Sequence, residues 1–100
     1  MFERIMGLCV TDDEQYTQYR EAMTPILHRY GGAFGYDFIV SEVLKSKGAY
    51  DINRVFTIEF PNQEAMTSFF ACDEYLAVKA QYFDASVGSK TVISLHEKTG

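Results

Sequence analysis

His96 is one of two histidines in the chain, and imidazole titrates nearest neutral pH of all side chains. With a carboxylate to orient its ring it could pass a proton, and Glu59 and Asp37 fall on the same predicted sheet face. Near the C-terminal end of the last predicted strand, a plainly solvated imidazole is the competing reading. Asp37 sits within the aromatic run Phe34-Gly35-Tyr36-Asp37-Phe38. A carboxylate there is either exposed or paired, and cover by a partner would raise its pKa. Arg54 opens a predicted strand on the opposite, helix-facing phase. From the rim it could bind an anion, or it could close a salt bridge. Ser41, Thr57 and Ser94 add hydroxyls, so Asp37, Ser41, Thr57, Ser94 and Arg54 form the candidate ligand-binding set. His28 ends a predicted helix, where a cation complements the helix dipole.

Several chemistries have no signature here. Cys9 and Cys72 make no CxxC pair and no metal-ligand spacing, so no metal site is expected. They read as a strand residue and a loop residue. No glycine-rich loop opens a helix to hold phosphate, and no nucleophile–histidine–acid motif or haem-type CxxCH occurs. No cofactor is expected.

The chain has 100 residues and a net charge of −5, from 9 basic and 14 acidic side chains. Hydrophobic residues make up 47% and aromatics 15%, far from a disordered composition. The length suits one domain over residues 1–100. The acidic balance argues against nucleic acid or an anionic membrane as partner, because both need clustered Lys and Arg. Glu3 and Arg4 interrupt the first apolar run, which predicts no secretory signal, and no stretch approaches the roughly 20 apolar residues of a membrane span. The expected setting is cytoplasmic, with reduced thiols.

These residues need elements to hold them. Phe2 to Val10 reads as a strand, followed by Thr11-x-x-Glu14, the pattern of a capping box. Tyr16, Tyr19, Met23, Ile26, Leu27 and Tyr30 then form one helical stripe, which places Tyr16, Tyr19 and Tyr30 in the core. Gly31-Gly32 ends that helix, and Pro25 inside it predicts a kink or local break near Glu21–Pro25. Gly32 to Leu44 reads as a second strand, 45–51 as a loop, and Asn53 to Phe60 as a third strand ended by Pro61. Asn62 caps a short helix, and Asp73 restarts one through Phe83. Val87-Gly88-Ser89 reads as a turn and Lys90 to Glu97 as the last strand. The order βαββαβ is that of an α+β, ferredoxin-like domain with helices on one face of an antiparallel-rich sheet.

Strict alternation assigns the faces. Met6, Leu8, Val10, Phe34, Tyr36, Phe38, Phe56, Ile58, Phe60, Ile93 and Leu95 face the helices. The other face is mixed: Cys9, Asp37, Ser41, Thr57, Glu59, Ser94 and His96 among Ile5, Ile39, Val55 and Val92. Such a face is either solvated or covered by a second copy, and a β-bulge in the second strand would flip part of it. This assignment gives the open face neither exposed aromatics nor basic residues, which an RNA-binding sheet would need.

Tyr16-x-x-Tyr19, Pro25, Tyr30-Gly31-Gly32-x-Phe34, Glu59-Phe60-Pro61-x-x-Glu64-Ala65 and Asp73-Glu74-Tyr75 resemble, in that order, the domain of unknown function family 1330. The resemblance runs from about residue 5 to 97. It implies a ferredoxin-like subunit that pairs with a second copy as a dimeric α/β barrel, sheet facing sheet. It implies no catalytic residues, since the family has no assigned activity. The chain departs from relatives at Cys72-Asp73, where many have Ser-Pro, and at Ala33, where many are basic. The expected function is binding of an unidentified small molecule, or cofactor-independent catalysis upon it. The alternative is a non-enzymatic interaction or regulatory module. The pocket could lie between the sheets or between sheet and helices.

Overall fold

A computed structural model describes residues 1–99. β1 (Phe2–Val10) leads into α1 (Asp13–Arg29), then β2 (Ala33–Ile39) and β3 (Arg54–Phe60). α2 (Gln63–Ala71) and α3 (Asp73–Val78) follow, and α3 runs on through a π-helical turn at Lys79–Phe83 and a last turn at Asp84–Ser86 into β4 (Val87–Glu97). The strands form one antiparallel sheet in the order β2-β3-β1-β4. This is the α+β ferredoxin-like arrangement expected from the element order.

The helix ends differ from the predicted caps in instructive ways. Asp12, not Thr11, caps α1 by accepting from the Gln15 N–H at 3.1 Å. Thr11 donates instead to the Ser86 carbonyl at 3.2 Å, tying the start of α1 to the last helical turn. Cys72 caps α3 through its Sγ, so Asp73 is the first helical residue rather than the cap. Asn62 caps α2 as its position implied, accepting from Ala65 N–H at 2.8 Å. Gly31, at φ 77°, takes the left-handed position that closes α1. The break expected at Pro25 does not occur, and α1 is continuous through it. Thr24 Oγ1 donates to the Arg20 carbonyl one turn back.

β2 ends at Ile39, well short of the expected Leu44. Its last ladder bond runs from Val40 N–H to the Asn53 carbonyl at 2.9 Å. Beyond that point β3 has turned away, so residues 41–51 have no strand to pair with and lie exposed. Asn53 is the reason for the turn. Its side chain donates to the Val10 carbonyl and accepts from the Val10 N–H, both at 2.8 Å, while its backbone N–H donates to Leu8.

The register of β2 also shifts. Phe34 pairs with Ile58, but Asp37 pairs with Phe56, so Gly35 and Tyr36 together oppose Thr57. Tyr36 N–H donates to Thr57 Oγ1 at 2.8 Å, filling the gap in the ladder. A Cβ on Gly35 would stand 2.5 Å from that oxygen, which is why only glycine fits. The bulge overturns the alternation assigned to this strand. Asp37 turns to the helix side, whereas Tyr36 and Phe38 turn to the open face, where they are 63% and 56% exposed and stack on each other. Tyr36 is therefore not a core residue, and the open face does carry exposed aromatics. A second irregularity pairs Ile5 with Ser94 but Met6 with Val92, moving Val92 to the helix side.

The core lies between sheet and helices. Phe2, Met6, Leu8 and Val10 from β1 and Phe56, Ile58 and Phe60 from β3 meet Leu27, Met23, Phe69 and Tyr75. Leu27 and Phe69 are completely buried, and each such side chain contributes about 1.5–3 kcal/mol by burial. No helix among the described residues is long and apolar enough to cross a membrane.

Asn53→Ala should remove both side-chain bonds to Val10 and lower stability by about 1–3 kcal/mol. Urea unfolding measures it, and an unchanged midpoint would show that the latch is dispensable.

Candidate functional site

α1 presents Tyr16, Tyr19, Arg20 and Met23 on one face, because residues three and four apart stack along a helix. That face looks onto the helix side of the sheet, where Arg4, Met6 and Leu8 of β1 lie beside Phe56 and Ile58 of β3. Between them is a cavity of about 210 Å³. Phe70, Tyr75 and Leu76 close it from α2 and α3, and Phe34 from β2. The π-helical turn brings Lys79 and Phe83 to it, and Lys90 approaches from β4. Extra-residue turns of this kind are frequent at functional sites.

The polar groups of the cavity are phenols and guanidinium groups. Tyr19 OH and Tyr75 OH bond each other at 2.9 Å, and Arg20 Nε donates to Tyr16 OH at 2.9 Å. Burial pushes the phenols of Tyr16, Tyr19 and Tyr75 above their usual range. All three are neutral at physiological pH and serve as hydrogen-bond donors. Burial likewise pulls the Arg4 guanidinium below its usual range, although it stays a cation. Arg4 lies over the Phe70 ring at 4.8 Å, and its Nε meets Met6 Sδ at 3.1 Å. Among the described residues, no histidine, cysteine or carboxylate lines the cavity.

Arg20, which lines the cavity, belongs to an ion cluster with Asp37 and Arg54. Arg54 holds Asp37 with two hydrogen bonds, Nε to Oδ1 at 2.8 Å and Nη2 to Oδ2 at 2.7 Å. Arg20 Nη2 reaches Asp37 Oδ2 at 2.9 Å, off the line of a hydrogen bond, and its guanidinium stacks 3.8 Å from the Phe34 ring centre. Partial burial would raise the Asp37 carboxyl, but the Arg54 bonds and the two nearby positive charges outweigh it and hold it below the usual range.

The open face holds a separate network. Glu3, only 7% exposed, accepts from His96 Nε2 at 2.9 Å and from Lys98 Nζ at 3.3 Å. Lys98 also donates to Glu59 at 2.9 Å, and Ser94 Oγ lies 2.6 Å from His96 Nδ1. Burial would raise the Glu3 carboxyl, but the Lys98 and His96 bonds hold it below the usual range. An ionised Glu3 can only accept, so Nε2 carries the ring proton, and in the neutral ring Nδ1 accepts from Ser94.

The residues singled out from the sequence thus divide among three places. Asp37 and Arg54 meet on the helix side, next to Arg20, the member of the cluster that lines the cavity. His96, Ser94 and Glu59 share the open-face network, with Glu3 rather than Glu59 or Asp37 beside the imidazole. Thr57 belongs to the bulge, and Ser41 lies in the exposed 41–51 segment. Sequence reasoning missed Arg4, Arg20 and Glu3. The signal for the arginines was present: Arg4 is in phase with Phe2, Met6 and Leu8, and Arg20 stands between Tyr16 and Met23 on the helical stripe. Among the described residues, no three His, Cys, Asp or Glu side chains converge to hold a metal.

Residues 4–95 match the family described as Domain of unknown function (DUF1330). The chain belongs to that family. No curated relative matches this DUF1330 chain. Among solved structures it is similar to a protein of unknown function from Rhodopseudomonas palustris, with a TM-score of 0.82 and 16% identity over 99% of this chain and 82% of that one. It is similar to a dabb family protein with a ferredoxin-like fold from Mesorhizobium loti, with a TM-score of 0.71 and 13% identity, covering 99% and 97% of the two chains. A putative antibiotic biosynthesis monooxygenase from Nitrosomonas europaea gives a TM-score of 0.63 and 15% identity over 98% of each chain. At these identities the likeness establishes the ferredoxin-like fold of the DUF1330 chain.

Because the folded-state pKa of Asp37 is depressed, its stabilising effect is present above the ordinary value of 3.8 and fades as pH falls through the folded value. Asp37→Asn should therefore cost about 1 kcal/mol at pH 7, a modest figure because solvent screens the pair. That cost should shrink below about pH 4. Unfolding of both proteins across pH 3–7 tests it, and a pH-independent difference would rule out the ion cluster as the cause.

Proposed function

We propose that this DUF1330 protein is a homodimer that binds a small molecule in the cavity between the sheet and the helices of each subunit. Each subunit is one ferredoxin-like domain over residues 1–100, and the open sheet faces meet as a dimeric α/β barrel. The observation that carries the binding reading is the cavity itself: apolar and aromatic walls with a few converging donors, the usual make-up of a ligand site. A core built only for stability would fill that space, because voids in a packed interior cost energy.

Pairing through the open face is supported by its composition. Tyr36 and Phe38 are exposed there as a stacked pair, and the half-buried Ile5 and Val55 lie on the same face. Such pairing leaves the cavity accessible, because it lies on the other side of the sheet. It covers Thr57, Ser94, His96 and Glu59, which become interface residues. Asp37, held by Arg54, fixes Arg20, which lines the cavity.

The cavity offers cations and neutral phenols, and no histidine, cysteine or carboxylate of the described residues lines it. Binding and polarising an oxygen atom is what these groups do well, so we favour a binding protein over one that abstracts protons. The two free thiols suit a reducing, cytoplasmic setting.

Native mass spectrometry of freshly purified protein should record a dimer that retains a small molecule in each subunit. Phe38→Asp, at a position exposed in the subunit, should keep the fold and give a monomer. A wild-type monomer at micromolar concentration would overturn the face-to-face barrel, whereas a dimeric Phe38→Asp variant would move the interface elsewhere.

A further inference from the structure

Among the described residues, four of the side chains lining the cavity are cations, Arg4, Arg20, Lys79 and Lys90, and none is an acid. This occurs in a chain whose acids outnumber its bases 14 to 9. Asp37 stands against Arg20 at 2.9 Å, and Asp84 against Lys79 at 2.9 Å. Among the described residues no carboxylate pairs with Arg4 or Lys90. Among the described residues, the partners of Arg4 are the Met6 sulfur and the Phe70 ring. A half-buried cation without an acid is costly, and its place on the inward stripe of β1 puts it beyond reach of a second copy docked on the open face.

We propose that the cavity takes a compact, largely apolar molecule through one carboxylate, gripped by Arg4 with Lys90 at the mouth. This rests on the ligand-binding reading of the same cavity. A planar guanidinium fork matches a carboxylate in two parallel bonds. The neutral Tyr19–Tyr75 pair lines the same space and supplies a further hydroxyl donor. A phosphate fits worse, because the lining offers no glycine-rich loop to surround a dianion. The aromatic walls, Phe34, Phe56, Phe70 and Phe83 among them, suit a ring or a short branched chain as the body of the ligand.

The methionines provide the readout. Met6 and Met23 line the cavity, while Met1 and Met66 do not. In protein labelled at the methionine methyls, benzoate should shift Met6 and Met23 and leave Met1 and Met66 in place. Benzamide, its neutral counterpart, should bind the same site at least about tenfold more weakly, the range of a charge-assisted hydrogen bond. Arg4→Met should collapse the preference for benzoate over benzamide toward one, and Arg4→Lys should restore part of it. Equal affinity of the two probes for wild-type protein would overturn the carboxylate assignment while leaving the binding cavity standing. If neither probe moved Met6 or Met23 at millimolar concentration, the cavity reading itself would fall, and the carboxylate with it. The wild-type comparison decides the matter even if an Arg4 variant fails to fold.

Discussion

The hydroxyl of Thr57, seated beneath the Tyr36 N–H, is the contact on which both faces of the sheet depend. It holds two residues of β2 against one of β3 and so reverses every side chain that follows. On the helix side, the reversal brings Asp37 within reach of Arg54 and Arg20. On the other side, it sets Tyr36 and Phe38 out as a stacked aromatic pair. Without the bulge, Asp37 would stand on the open face and two arginines would sit on the helix side with no anion between them. Gly35 is what lets the hydroxyl in, since any Cβ there would collide with it.

The two faces then take different kinds of polar chemistry. On the helix side, neutral phenols and arginines stand among aromatic rings, and each hydroxyl has a partner. On the open face, the polar groups form an ion network in which Lys98 bridges Glu3 and Glu59 and His96 completes the shell around Glu3. That network ties the end of β4 to β1 and β3, strands whose N- and C-terminal ends come together only in the folded sheet. The His96–Glu3 contact has the look of an acid–base pair. Its carboxylate is also shared with Lys98, which ties the end of the chain to β1.

Much of the fold was legible along the chain. The stripe from Tyr16 to Tyr30, the glycine stop at Gly31 and the Asn62 cap are local features, and local physics decides them. The capping box at Thr11 does not form, and the helix that restarts at Asp73 takes its cap from the residue before it. Thr11 is drawn off to Ser86, seventy-five residues away, and Cys72 supplies the acceptor first. Arg4 and Arg20 were visible as cations in phase with apolar stripes, and a cation in such a phase deserves to be read as a buried charge in need of a partner.

By itself, then, the sequence determined the order βαββαβ, the apolar side of each helix and of β1 and β3, and the family. Periodicity and capping act over a few residues and need no knowledge of the rest of the chain. Tertiary structure alone decided the length of β2, which residues of that strand face the helices, and which charges meet. Each of these turns on a partner far along the chain: Asn53 against Val10, Thr57 against Tyr36, Asp37 between Arg20 and Arg54, Lys98 between Glu3 and Glu59. Alternation carries a face assignment only as far as the next bulge, and a bulge is set by the strand opposite, which only the folded sheet supplies.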